Sequence, residues 1–198
     1  MTSEETQAIA RVRAGDADAF EPVVRQYARA LHLLAMRIVG QAAAAEDVVQ
    51  ETFLRAFRAI DRFDAGPDGS GEILPWLRRI ATNAALDHLR RVRRERSLEV
   101  QDGAGEWVLL EPATDAPSPA RHAASAQVRV ATERALGQLS PDERAAFVLR
   151  HLEGRSIAEI GRTLGKGDNA TKQSIFRAVR KLRRALVGFT EVAREELA

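Results

Sequence analysis

Seven arginines stand between Trp76 and Arg96 against only Asp87 and Glu95, a net of +5 over one short stretch. Such a density of cations calls for a polyanion or much solvent, and phosphate is the usual partner. Asn83 and Asp87 lie among these arginines. An amide and a carboxylate can read the hydrogen-bonding edges of bases, while arginine reads bases or holds phosphates. Upstream, Asp47, Gln50, Glu51 and Leu54 recur at steps that place them on one side of a helix. They make either a solvated acidic face or a docking surface with one exposed leucine. A second basic run, Arg150 to Leu186, holds ten Lys/Arg against three acids. Catalytic chemistry finds no footing. The chain has no cysteine, and its four histidines lack ligand-like spacing. Asp47 and Glu51 could ligate a metal at i, i+4, but nothing else converges on them. No glycine loop cradles a phosphate and no nucleophile meets a base. We therefore expect binding rather than catalysis, with no enzyme activity, no cofactor and no metal.

Helices must position these residues. Glu4 to Ala14 reads as a short amphipathic helix ended by Gly15, and Asp16 as the N-cap of the next. That second helix carries Phe20, Val23, Leu31, Leu34 and Ile38 on one face, tolerates Pro22 in its first turns and stops at Gly40. The alanine run from Ala42 leads into the acidic helix, whose expected buried stripe is Val49, Phe53, Ala56, Phe57 and Ile60. Asp61 to Gly71 is a loop by its Asp, Gly and Pro content. The arginine helix should bury Leu77, Ile80, Ala81, Ala84, Leu86 and Leu89, leaving Asn83, Asp87, Arg90 and Arg91 outside.

Composition then shifts. Ser97 to Gln127 contains glycines, prolines and, between Glu99 and Asp115, five acids and no base. It reads as a linker with one apolar island, Trp107 to Leu110. A flexible chain of its 31 residues averages about 30 Å end to end. Fully drawn out it reaches roughly 100 Å, enough to join two DNA elements about 35–70 Å apart. From Val128 the helical pattern returns. Ser140-Pro141-Asp142-Glu143 and Ser156-Ile157-Ala158-Glu159 are capping boxes. Ala146, Phe147, Leu149 and Leu152 should face inward. Gly161 lies where a close helix crossing favours a small residue. A glycine turn at Gly165 to Gly167 precedes a long basic helix, and the whole reads as a helix-turn-helix.

Two motifs now carry a resemblance. Asp47 to Phe53 (D-x-x-Q-E-x-F), followed from Pro75 by P-W-L-R-R-I-A-T-N-x-x-L-D-x-L-R-R, resembles region 2 of bacterial sigma factors of the extracytoplasmic-function group. Leu139-Ser140-Pro141-x-x-Arg144, Ser156 to Gly161 and Lys172 to Arg184 are similar to sigma region 4. The resemblance implies an all-α chain of two small helical domains: region 2 over residues 1–96, an acidic linker over 97–127, region 4 over 128–190 and a tail over 191–198. It implies a transcription initiation factor. Asp47, Gln50, Glu51 and Leu54 would dock on the β′ clamp helices of core RNA polymerase, and region 4 would rest on the β flap. Asn83, Asp87, Arg90 and Arg91 would meet a partly melted −10 element, one unpaired base entering the Asp61–Gly71 loop. Lys172, Gln173, Ser174, Arg177, Arg180 and Lys181 would meet the −35 element, the latter two and Arg184 mainly on its backbone. The linker would thread the polymerase interior, and an anti-sigma factor would clamp both domains. The chain departs from the family at Thr171, in place of a buried valine, and at Ser174, in place of an arginine. Its −35 preference is therefore open.

The rest of the chain sets the class. Hydrophobic residues make up 45% and charged residues 29%, enough for a core and unlike a broadly disordered chain. No apolar run approaches the roughly 20 residues of a membrane span, and the N-terminus is acidic where a signal peptide is basic. The expected location is cytoplasmic, without membrane insertion. The competing reading is a stand-alone helix-turn-helix regulator that needs no core polymerase.

Overall fold

The computed structural model describes residues 3–64, 71–98 and 134–195, with side chains over 4–64, 71–95 and 134–186. Residues 65–70 of the expected loop, nearly all of the linker with its Trp107–Leu110 island, and the expected start of the second domain at Val128 lie outside the described residues. Among those described, every regular element is helical. The chain divides into two compact units, Met1–His88 and Leu89–Ala198.

In the first unit, α1 (Ser3–Arg13) ends where Gly15 takes a φ of 98°, a left-handed conformation that costs glycine nothing. Asp16 does cap, but it caps a 3-10 turn over Ala17–Phe20, accepting from the Ala19 amide. Helix α2 (Glu21–Val39) begins only after that turn, with proline in its first positions, and Gly40 ends it at φ 81°. Leu31, Leu34 and Ile38 are almost wholly buried. Each such side chain contributes about 1.5–3 kcal/mol relative to exposure. Helix α3 (Ala42–Arg58) packs along α2. Its buried stripe is Ala44, Ala45, Val48, Thr52, Phe53 and Ala56. The expected stripe was rotated too far: Val49 is only half-buried, and Phe57 is 37% exposed. Thr52 replaces them because its hydroxyl donates to the Val48 carbonyl at 2.6 Å, which satisfies it inside an apolar face. Phe20 holds both phenylalanines edge-on, with centroids 6.3 Å from Phe53 and 5.6 Å from Phe57.

A 3-10 turn, Ile60–Arg62, follows α3. Arg13 at the end of α1 donates to the carbonyls of Ile60 (3.0 Å) and Phe63, stitching the first helix to the turn that follows the third. Helix α4 (Ile73–Leu98) begins in the first unit, passes the unit boundary after His88, and runs two residues past the expected domain edge. It buries Ile73, Leu77, Ala81, Ala84, Ala85, Leu86 and Leu89. Trp76 is half-buried and stacks at a tilt on Phe63, 5.2 Å between centroids.

In the second unit, the helical residues 134–137 supply Ala135 and Leu136 to a core completed by Leu139, Ala178 and Leu182. Helix α5 (Pro141–Phe147) opens with the expected capping box between Ser140 and Glu143. It then widens into a π-helical turn over Val148–Leu152. The Glu153 amide reaches back five residues to the Val148 carbonyl at 3.1 Å. That extra residue per turn rotates Leu152 outward, to 52% exposure, where the periodicity had placed it inside. Helix α6 (Ile157–Leu164) opens with the second capping box and closes on Gly165 at φ 64°. Helix α7 (Asp168–Glu195) is continuous past residue 190, so the expected tail boundary falls inside a helix. The α6–α7 corner is tight. A Cβ on Gly161 would lie 2.6 Å from the Lys166 carbonyl oxygen and 3.3 Å from Thr171 Oγ1.

Candidate nucleic-acid and polymerase interfaces

Helix α3 presents its acids because its other side is committed to the core. With Val48, Thr52 and Phe53 inward, Asp47, Gln50 and Leu54 emerge exposed and Glu51 partly so, and Leu54 is 44% accessible. The four expected docking residues therefore share one surface. An exposed leucine among carboxylates stabilises nothing in this unit by itself.

Helix α4 does the same for its arginines. The burial of Ala81, Ala84, Leu86 and Leu89 turns Asn83, Asp87, Arg90 and Arg91 to the surface. Arg91 lies 4.0 Å from Glu95, one turn on. Asp87 is held from the neighbouring helix by Arg55 Nη1 at 2.9 Å, and Arg55 Nε also holds Glu51 at 2.7 Å. Those hydrogen bonds, donated to Glu51 first and then to Asp87, raise the guanidinium's already high pKa. The Glu51–Arg55 spacing is legible as an i, i+4 pair. The link to Asp87 joins two helices and is not.

On α7, Lys172, Gln173, Arg177 and Arg180 are exposed. Two of the expected −35 residues make contacts within the unit, and of these only Ser174 is buried. Ser174 is 8% exposed, and its hydroxyl donates to the Ala170 carbonyl at 3.0 Å, on the inner side of the helix. Lys181 turns back to Glu143 Oε2 at 2.7 Å and the Gln138 carbonyl at 3.3 Å. The burial of Glu143 opposes its ionisation, yet Lys181 and the Ser140 amide hold its pKa below the ordinary range. Both contacts have one cause. Ser174 and Ala178 are one turn apart on the side that packs inward, and Lys181 follows at their edge. Thr171, by contrast, is fully buried as a valine there would be, its hydroxyl returned to the Gly167 carbonyl at 3.0 Å.

Sequence reasoning missed two features of this unit. Arg144 is 3% exposed, and burial pushes its pKa down to about 10. Its place in the Leu139–Arg144 motif was the available signal. The second is a groove of about 590 Å³ between the π turn and α7. Ile157, Ile175, Phe176 and Val179 wall it, and Arg150, Lys172, Arg183 and Arg184 rim it. Phe176 is 65% exposed there, with Arg180 6.0 Å over its ring. An apolar floor under a cationic rim fits an amphipathic, acid-bearing segment. Among the described residues, no cluster of acids and histidines could hold a metal ion, and no helix is long and apolar enough to cross a membrane.

Comparison with known proteins finds two family models in this chain. Sigma-70 region 2 matches residues 23–95, and Sigma-70 region 4 matches residues 129–182. The sigma factor BldN of Streptomyces coelicolor is 35% identical over 178 residues, 90% of this chain, which spans 64% of BldN's own length. CarQ of Myxococcus xanthus is 35% identical, covering 89% of this chain and 94% of CarQ. SigW of Bacillus subtilis is 30% identical, covering 90% of this chain and 94% of SigW. Among solved structures, CnrH bound to the cytosolic domain of CnrY superposes with a TM-score of 0.57 at 27% identity, covering 94% of this chain and 99% of CnrH. SigJ of Mycobacterium tuberculosis gives 0.54 at 26%, covering 87% of this chain and 56% of SigJ. A region 2 match upstream of the helix-turn-helix does not favour the stand-alone regulator. With an acidic helix, an arginine helix and a helix-turn-helix in this order, the chain belongs to the extracytoplasmic-function group of RNA polymerase sigma factors.

Proposed function

We propose that this chain binds core RNA polymerase through the α3 face of Asp47, Gln50, Glu51 and Leu54 and directs the enzyme to promoters through α4 and α7. The observation that carries the reading is that face itself: three polar side chains and an accessible leucine on a helix whose opposite side is fully used in packing. A basic surface such as the β′ clamp helices compensates the desolvation of the carboxylates, and the leucine adds apolar contact. Asn83, Asp87, Arg90 and Arg91 read the opened −10 element, the first two through base edges and the arginines through phosphates or bases. On α7, Lys172, Gln173 and Arg177 enter the major groove at −35, with Arg180 towards the backbone. The groove beside Phe176 shares Lys172 and Arg180 with that face, so an amphipathic, acid-bearing segment of an inhibitory protein seated there would exclude the −35 element. CnrH is held by CnrY, and a protein covering these faces here would act as an anti-sigma factor. The activity is specificity without catalysis, exercised in the cytoplasm where the polymerase works.

The test is assembly. Asp47→Lys with Glu51→Lys is expected to weaken capture by core polymerase at least tenfold while circular dichroism stays helical. Retention of wild-type capture would remove the α3 face from the interface. If duplex DNA were bound tightly by the chain alone and core ignored, the regulator reading would replace this one.

A further inference from the structure

The candidate polymerase face and the candidate −10 face are joined by a side chain assigned to neither. Arg55 stands one turn beyond Glu51 on α3, opposite Asp87 on α4. Its Nε donates to Glu51 Oε1 at 2.7 Å and its Nη1 to Asp87 Oδ2 at 2.9 Å. A guanidinium is planar, with donors in a fixed fork, so orienting one end orients the other. A lysine ammonium on a flexible stem has no such fork. The three side chains are 40%, 43% and 53% exposed for Arg55, Glu51 and Asp87. Ion pairs this accessible add little to folding. What the bridge does show is one oxygen of the Asp87 carboxylate, Oδ2, engaged from α3.

This inference rests on the −10 role proposed above for Asp87. We propose that Arg55 is a positioning residue for promoter reading: it aims the Asp87 carboxylate at the −10 element and is itself aligned by Glu51. A carboxylate discriminates between bases only if its oxygens are aimed, since it accepts well from an exocyclic amine in one direction and poorly in others. An unaimed Asp87 would still lie near the DNA but would select less sharply.

The experiment uses holoenzyme reconstituted from the full chain and saturating core polymerase. Its templates are promoters that differ by one base at each −10 position in turn. Asp87→Ala identifies the position that Asp87 reads. Arg55→Ala is expected to lower discrimination there roughly two- to fivefold, to leave the other positions unchanged, and to add nothing in combination with Asp87→Ala. Arg55→Lys, which keeps the charge and loses the fork, should behave as Arg55→Ala. Glu51→Ala should shift the same position in the same direction. Discrimination unchanged in Arg55→Ala, with a clear Asp87→Ala effect, overturns the proposal and leaves the −10 reading standing. An equal fall in output at every position also overturns it, since that marks a merely structural arginine. If Asp87→Ala has no effect at any position, the −10 role of Asp87 fails and this inference goes with it.

Discussion

Gly161→Ala puts the geometry of the helix-turn-helix to a direct test. In an open helix the change would stabilise, by about 1 kcal/mol, because alanine loses less backbone entropy than glycine. Here the added methyl would meet the Lys166 carbonyl oxygen at 2.6 Å and Thr171 Oγ1 at 3.3 Å. The carbonyl is backbone, in the turn between α6 and α7, and the Lys166 amide donates back to the Gly161 carbonyl at 2.8 Å. Relief therefore requires the whole turn to move, not one side chain. Overpacking of this kind costs about 1–3 kcal/mol. Set against the helix-propensity gain of about 1 kcal/mol, the net expectation is a loss of up to about 2 kcal/mol in place of a gain. For a unit of this size that lowers the melting temperature by roughly 4–8 °C per kcal/mol. Amide hydrogen exchange over residues 157–178 of the full chain isolates this unit, where α6 and the start of α7 should exchange faster while α2 and α3 stay unchanged. A variant as well protected as the parent, or better, would refute the close approach and with it the placement of α7.

Two further outcomes follow from the same unit. Glu159 is held at about pKa 2 by the Ser156 hydroxyl and amide and then by Arg155, against an ordinary 4.5. Because the folded value is the lower one, its contribution is fully present above about pH 4.5 and is lost as pH falls towards 2. Glu159→Gln should flatten that part of an acid-unfolding profile of α6, and an unchanged profile would refute the capping role. Lys181→Met should destabilise this unit by about 1–2 kcal/mol, since Glu143 loses its cation, with the figure discounted for the exposure of the lysine. Below the melting transition it should leave promoter affinity and its salt dependence unchanged, since a lost phosphate contact would weaken both. A weaker and less salt-dependent complex would return Lys181 to the DNA face.

Much of this protein is written locally. Capping boxes at Ser140 and Ser156, glycine stops at Gly40 and Gly165, and the segregation of acids from arginines depend on residues within four positions of one another, so helix ends and charged faces were readable from the chain alone. The rotation of α3 was not. Val48 and Val49 are equivalent to a periodicity rule, and only the neighbouring helix decided which is buried and that Thr52 joins it. Likewise Leu152 follows a 3.6-residue repeat until a π turn shifts it outward, and nothing in its own residue type announces that turn. Ser174 and Lys181 fit a basic recognition helix by sequence. The helix face that packs Ala178 and Leu182 against Ala135, Leu136 and Leu139 also buries Ser174, and the buried carboxylate of Glu143 engages Lys181 at its edge. The Arg55–Asp87 bridge spans 32 positions. Short-range pattern determines which residues can form a helix and carry charge, whereas which side of that helix faces water is a property of the partner it packs against.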